Sequence, residues 1–229
     1  MISIIIPVYN EEKVIEKLIT HLKKNSLDNF VEIIVADGGS TDNTSSIVLK
    51  HNIIFFKCKQ KGRAKQMNEA AAASKGDILH FIHADTLPPK TFTEDITNAI
   101  NAGYDFGRFC LKFDSADVRL KFNAYFSRFD MFECCGGDQT LFITKKMFTA
   151  LNGFDDTKLI MEDFDIFERA KKIGRHKIIK KPVLVSARKY QNNGWLKVQK
   201  ANYKMIKLYK KNSDQQVMVD TYKKLLQPK

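Results

Sequence analysis

The chain has 229 residues, 44% of them hydrophobic, which is enough to bury one substantial core; its composition is that of an ordinary globular protein, so a single domain is the default. The 38 Lys and Arg against 26 Asp and Glu leave a formal net charge of +12, which suits a nucleic acid, an anionic membrane face or a phosphate-bearing substrate without choosing among them. No stretch approaches the ~20 apolar residues of a membrane span, and MISIIIPVYN lacks the basic leader and small-residue cleavage site of a signal peptide. Cys58, Cys110, Cys134 and Cys135 show no paired CxxC spacing, and adjacent Cys134 and Cys135 are poorly placed to bridge each other. The expectation is free thiols in a reducing compartment and a cytoplasmic location.

Taken in chain order, the N-terminal half alternates short β-branched runs with helical patterns, the signature of parallel strands joined by crossover helices. Residues 2–8 read as a buried strand. A helix over 12–24 follows, with Val14, Ile15, Leu18, Ile19 and Leu22 on one face. A second strand spans 31–36, then a turn at 37–42 and a helix through Lys50, then a third strand at 53–57. Residues 61–68 open an alanine-rich helix that ends at Gly76, and a fourth strand spans 77–83. Open α/β sheets bind ligands beyond the carboxyl ends of their strands, and Asp37 and Asp85 both fall at such ends.

Further along, 104–113 alternates like a strand, and 120–132 sets Phe122, Tyr125, Phe126, Phe129 and Phe132 at helical spacing. That aromatic stripe reads first as core packing and second as an acceptor-facing or membrane-facing surface. A short strand at 141–144, a short helix at 145–151, a helix at 161–173 opening with two carboxylates, and a late strand at 183–187 complete the domain. A basic amphipathic helix at 195–211 and a last helix at 217–226 follow. The first of these either docks on the domain through Trp195, Val198, Met205 and Ile206 or touches an anionic membrane. The lysine runs at 171–181 and 203–211 read as a solvated basic face, with lipid or polyanion contact as the alternative.

Chemistry concentrates at the strand ends. Tyr9 offers a ring that can stack on a base, and Asp37 a carboxylate that can accept from base N–H or ribose hydroxyl groups. Asp85 suits a divalent ion that neutralises a departing diphosphate, or else caps the turn before Leu87-Pro88-Pro89. Glu162 and Asp163 point about 100° apart on a helix; either one reaches a cleft as general base, or both complement the helix dipole. Gly136-Gly137-Asp138-Gln139 lets backbone approach a substrate while Asp138 and Gln139 accept from sugar hydroxyls, or it is an Asp-stabilised tight turn.

IIIPVYNEE, VADGGSTDNT, the HAD at 83–85 and the MED at 161–163 occur in an order and spacing that resembles the inverting family 2 glycosyltransferases of GT-A fold, over roughly residues 1–190. GRAKQMNEAAAASKGDILHFIHADTLPP, GGDQ and MEDFDIFERAKKIGR are similar to a small bacterial subgroup of that family. The resemblance implies an α/β, Rossmann-like, mostly parallel sheet flanked by helices, with a C-terminal helical tail. It divides the chain into a nucleotide-sugar-binding half (1–103), an acceptor-binding half (104–190) and C-terminal amphipathic helices (191–229). It further implies that Pro7, Tyr9, Glu11, Asp37, Arg63, Ala84 and Asp85 hold a nucleotide-diphosphate sugar. Asp85 would bind Mg²⁺ or Mn²⁺, Asp163 would be the catalytic base, and Gly137, Asp138, Gln139 and Glu162 would face the sugar or acceptor.

Two departures qualify that expectation. His83 stands where the family has its first metal-motif acid; an imidazole there either ligates Mn²⁺ or only packs, the metal then relying on Asp85. The family's Q/RxxRW element is missing in its usual form, with Arg188-Lys189-Tyr190 and Gly194-Trp195 following the late strand instead, which argues against processive polymer synthesis. The expected partners are the sugar donor and an unnamed acceptor, without nucleic acid. A peripheral contact with the inner membrane face and a homodimer stay open. A nucleotidyltransferase lacks its phosphate loop after strand one, and a dehydrogenase lacks GxGxxG there. A catalytically silent adaptor at a membrane surface is the non-enzymatic alternative.

Overall fold

The computed structural model describes residues 1–26, 30–134 and 136–226, with the side chain of Cys134 undescribed; the thiols expected at Cys134 and Cys135 lie outside the described residues. Cys58 and Cys110 are free. β1 (Ile2–Val8) is apolar and β-branched apart from Ser3 and Pro7 because both its faces are covered, and every residue of it is buried. α1 (Ile15–Asn25) then buries Ile15, Leu18, Ile19 and Leu22. β2 (Val31–Asp37), α2 (Thr44–Leu49), β3 (Ile54–Lys57), α3 (Arg63–Ala73) and β4 (Ile78–Phe81) follow in the expected alternation.

β1 pairs in parallel with β2 on one side and β4 on the other, and β2 pairs in parallel with β3. Strand order therefore reverses at β1 and β4, which opens a crevice at their carboxyl ends. The alternation of side chains along β1 feeds two cores. Ile2, Ile4, Ile6 and Val8 pack with α1, and Ile5 packs with Ile34 and the alanines of α3.

β5 (Thr86–Leu87), α4 (Phe92–Asn101), β6 (Phe106–Phe113), α5 (Val118–Phe126), two single 3₁₀ turns at Phe132–Cys134 and Gly137–Gln139, β7 (Leu141–Thr144) and α6 (Lys145–Ala150) come next. α7 (Glu162–Lys171), β8 (His176–Val185), α8 (Arg188–Asn193), α9 (Trp195–Lys210) and α10 (Gln215–Leu225) complete the chain. All eight strands form one sheet in the order β3-β2-β1-β4-β7-β6-β8-β5. The first four strands are parallel, β7 runs antiparallel to β4 and β6, and β6 with β8 forms a second parallel pair.

Three expectations need correcting. α4 and the two-residue β5 have no counterpart among the expected elements. β8 begins at His176, inside the lysine run read as a solvated face; Lys177, Lys180 and Lys181 are exposed while Ile179 and Val183 are buried, and an irregularity that skips from the Phe109–Ile179 pair to the Cys110–Pro182 pair turns the two consecutive lysines to solvent. The aromatic stripe is not core. α5 buries Leu120 and Ala124 and leaves Phe122 at 61% and Tyr125 at 56% exposure, and Phe129, in the turn that follows, is 44% exposed. α9, by contrast, buries Val198, Ala201 and Met205: Met205 packs on Met161, and Val198 and Ala201 pack with Tyr190, Tyr222 and Leu226; no described helix is long and apolar enough to cross a membrane.

Candidate active site at the carboxyl edge of the sheet

The loops after β1 and β2 are sewn together. Asn10 adopts φ 57° and takes a hydrogen bond from Thr41 N at 2.8 Å, while Asn10 N donates to Ser40 Oγ at 3.0 Å and Glu11 N to Thr44 Oγ1 at 2.9 Å. Asp37 is buried, and its carboxylate accepts from the amides of Gly39 and Ser40 at 3.1 Å, so it shapes its own turn. Beneath both loops the buried Gln66 amide donates to Val8 O and Ala36 O at 2.8 Å each, and a Cβ on Gly38 would press on that amide. Pro7 lies within β1, and the Tyr9 ring is half exposed with Lys61 Nζ 5.1 Å from its centroid. A cation beside an open ring suits a base carried with phosphates.

Asp85 and Glu11 meet over one guanidinium. β5 pairs Thr86 with Val185 and Ser186 N donates to Asp85 O at 3.2 Å, which brings Arg188 to the acid. Arg188 Nη2 lies 3.4 Å from Asp85 Oδ2 and 3.3 Å from Glu11 Oε2. A cleft of about 250 Å³ opens beside Ala84 and Asp85, walled by Lys13, Lys17 and Ser186. Two hard carboxylates converging on one positively charged atom fit Mg²⁺ or Mn²⁺. Groups of three or more side chains able to hold a metal are absent among the described residues, so phosphate and water oxygens would complete such a shell.

His83 continues this edge to the second acid. Its Nε2 is 3.7 Å from Asp163 Oδ2 and its Nδ1 is 3.5 Å from Asp138 Oδ1, so the ring faces two carboxylates instead of merely filling space. Asp163 keeps only 16% of its side chain exposed. Burial, and next the charge of Glu162, push its carboxyl up from the ordinary 3.8 to about 6, against the opposing pull of His83 and Arg63. Arg63 Nη1 bonds Glu162 Oε1 at 2.9 Å. Burial pulls that guanidinium down, but Glu162 and Asp163 outweigh it and hold its proton more firmly than usual. Gly137 is required here because a Cβ would run into the Asp163 carboxylate.

Asp138 is the open member of the 3₁₀ turn. Gln139 turns inward, where its oxygen accepts from the buried Arg108, whose guanidinium also donates to Ser127 O at 2.7 Å and Phe129 O at 2.8 Å. Arg108 thus anchors the 127–139 segment from below. Backbone strain brackets the site. Thr140 (φ 59°, ψ 156°) and Met161 (φ 67°, ψ 19°) are non-glycine residues in left-handed conformations, each at a cost of order 1–3 kcal/mol, directly beside Gln139 and Glu162. Met161 is held by Met205 of α9 and Met218 of α10.

The loops after β1 and β2, Asp85 and Asp163 thus reach one edge of the sheet. Sequence patterning left Arg188, Gln66 and Arg108 without roles. The Arg188-Lys189-Tyr190 run was visible, but its meeting with Glu11 depends on β8 pairing with β5.

The sequence model of Glycosyl transferase family 2 matches residues 3–158, and the chain belongs to that family. It is 36% identical over 93 residues to the uncharacterized glycosyltransferase YfnE of Bacillus subtilis (strain 168), covering 38% of this chain and 24% of that one. Its fold is similar to that of S. aureus TarS 1-349, solved in complex with UDP-GlcNAc (TM-score 0.68, 21% identity, 81% of this chain and 58% of that one). It is also similar to the mannosyltransferase PcManGT from Pyrobaculum calidifontis, solved with GDP-Man and Mn²⁺ (TM-score 0.66, 19% identity, 89% and 61%). The chain spans about a quarter to a third of the length of the first curated relatives it matches. The GT-A architecture expected from the sequence is the observed one, and the family activity is glycosyl transfer from nucleotide sugars.

Proposed function

We propose that the chain transfers a sugar from a UDP-sugar to an acceptor hydroxyl in one displacement, with inversion. The observation that carries this reading is Asp163: an enclosed carboxylate pushed up to about 6, beside His83, at the edge where the nucleotide loops end. A base is most effective with a pKa near the working pH. Asp163 takes the acceptor's proton as the acceptor oxygen bonds to the anomeric carbon. The bond from that carbon to the diphosphate oxygen breaks, and its electron pair leaves with UDP.

The 1–103 half supplies the donor site and the 104–190 half the acceptor side. Tyr9 and the turn shaped by Asp37 receive the nucleoside, with Pro7 and Ala84 in the walls, and Lys61, Arg63 and Arg188 supply positive charge for the diphosphate. Glu11 and Asp85 would hold a divalent cation, which when bound offsets the charge of the leaving group. Asp138, on the turn that Gly137 lets approach Asp163, faces the sugar or acceptor; Glu162 holds Arg63 in place. The TarS complex with UDP-GlcNAc supports uridine as the base. Family membership weighs against the nucleotidyltransferase alternative.

A thermal-shift series with UDP, GDP and ADP, each with and without Mn²⁺, tests the donor site. A ligand at 100 times its Kd that binds only the folded state stabilises it by about 2.7 kcal/mol. UDP with Mn²⁺ is expected to give the largest rise in Tm. No shift with any nucleoside diphosphate would remove the donor-site assignment.

A further inference from the structure

The outward face of α5, continued by the turn after it, is exposed and chemically unusual. Phe122, Tyr125, Phe126 and Phe129 form one contiguous set of rings, with centroids 4.9 Å (Phe122 to Phe126) to 6.2 Å (Phe126 to Phe129) apart, and three of the four are among the exposed large hydrophobic residues. Aromatic side chains exposed together on a helix and the turn that follows it are costly in water and mark a binding surface.

The charge around the rings selects the occupant. Residues 118–129 contain Arg119, Lys121 and Arg128 and no acid. Asp117 neutralises Arg119, whereas Lys121 and Arg128 are exposed and have no carboxylate partner among the described residues. α9 lies alongside, with Arg119 over the Trp195 ring at one end and Tyr209 stacked on Phe132 at the other. Residues 188–213 carry eight Lys and Arg and no acid, and of these Arg188 and Lys210 are held by carboxylates from elsewhere in the chain. The outward positions of α9 include Leu196, Lys197, Lys200, Tyr203, Lys204 and Lys207, all exposed. Interfacial aromatics beside unopposed cations match an anionic lipid surface, where each Lys or Arg adds attraction and the rings enter the headgroup boundary.

We propose that the α5 aromatic face, bordered by the acid-free α9, docks the protein on an anionic lipid bilayer. Arg108 ties the carbonyls of Ser127 and Phe129, at the end of this face, to Gln139 in the turn beside Asp163. Docking therefore sets the candidate site close to the bilayer surface. The surface stands on its own and does not depend on the donor or the chemistry.

Co-sedimentation of the full chain with vesicles of phosphatidylcholine alone, and of phosphatidylcholine with about one third phosphatidylserine, reads the proposal. Binding is expected to the mixed vesicles only, and to weaken at high salt. The Phe122→Ser/Phe129→Ser double variant and the Lys121→Glu/Arg128→Glu double variant should each lower it about tenfold or more. Both alter exposed side chains, and an unchanged circular dichroism melt verifies folding. The proposal is overturned if the full chain ignores the mixed vesicles at low salt, or if the Phe122→Ser/Phe129→Ser variant binds as well as the parent. Sedimentation velocity showing a dimer that this variant abolishes would assign the face to a second copy instead.

Discussion

His83 Nε2 lies 3.7 Å from Asp163 Oδ2, and its other ring nitrogen lies 3.5 Å from Asp138. The residue that departs from the expected acid two places before Asp85 is thus the link between the metal-side edge and the candidate base. It also pulls the Asp163 carboxyl down against burial and Glu162.

A pH profile follows from that balance. Turnover requires ionised Asp163, so kcat/KM should fall as pH drops through about 6, with an acidic limb of slope one. His83→Gln removes a stabilising neighbour of the carboxylate and should move that limb to higher pH. A profile flat down to pH 4.5, or a limb unmoved in His83→Gln, would dissociate the pair from the chemistry.

Stability should respond in the opposite sense. Because Asp163 titrates at about 6 in the fold and near the ordinary 3.8 when unfolded, its ionisation opposes folding. The penalty is absent below 3.8, grows as pH rises through the window between the two values, and is complete above about 6. Asp163→Asn should therefore be more stable than the parent at pH 8 by on the order of 1–2 kcal/mol, with the gain gone at pH 3.5. Urea denaturation at the two pH values measures it. Buried His80, pulled by desolvation from 6.5 to about 3, works the other way. The unfolded chain takes up its proton first, so this contribution is full above 6.5 and is lost as pH falls toward 3. The Asn variant keeps that acid sensitivity, which separates the two groups.

Arg188 presents a third case. Its guanidinium occupies the point where Glu11 and Asp85 converge. Arg188→Gln leaves two carboxylates facing each other, so Mn²⁺ should bind the nucleotide-free protein about tenfold more tightly while UDP affinity falls. Titration of free Mn²⁺ by electron paramagnetic resonance reads the first effect. Weaker Mn²⁺ binding in the variant would mean that the two acids do not form the cation point.

The C-terminal helices reach the chemistry through Met161. Met205→Ala opens the cluster that holds Met161 in its left-handed conformation, and should cost about 2–3 kcal/mol in stability. It should also lower kcat at temperatures where the variant is fully folded, because Glu162 and Asp163 follow directly. Unchanged kcat with lowered Tm would confine α9 and α10 to a stabilising role.

What could be read in advance divides along physical lines. β1, β2 and α1 are determined by local pattern: continuous β-branched runs buried on both faces, and an apolar stripe of helical period. Asp85 is legible as a candidate because it follows a strand, and Asp163 because the family resemblance singles it out from Glu162 at a helix start. The aromatic stripe of 120–132 misled because helical spacing shows that side chains share a face, not whether the domain covers it; here Phe122, Tyr125 and Phe129 are left exposed. β8 was half hidden because its first half does not alternate: a pairing irregularity turns the consecutive Lys180 and Lys181 to solvent, and the lysine-rich segment then looks like a solvated run. The meeting of Arg188 with Glu11 spans 177 positions of sequence, and the strain at Thr140 and Met161 leaves no compositional mark.

The central claim is that Asp163 accepts the acceptor's proton. It is tested most directly with the UDP-sugar that gives the largest thermal shift, by following UDP release with water as acceptor in the parent and in Asp163→Asn. The predicted result is a loss of about 100-fold or more in turnover, with the UDP-induced shift in Tm retained. Full turnover in Asp163→Asn would contradict it.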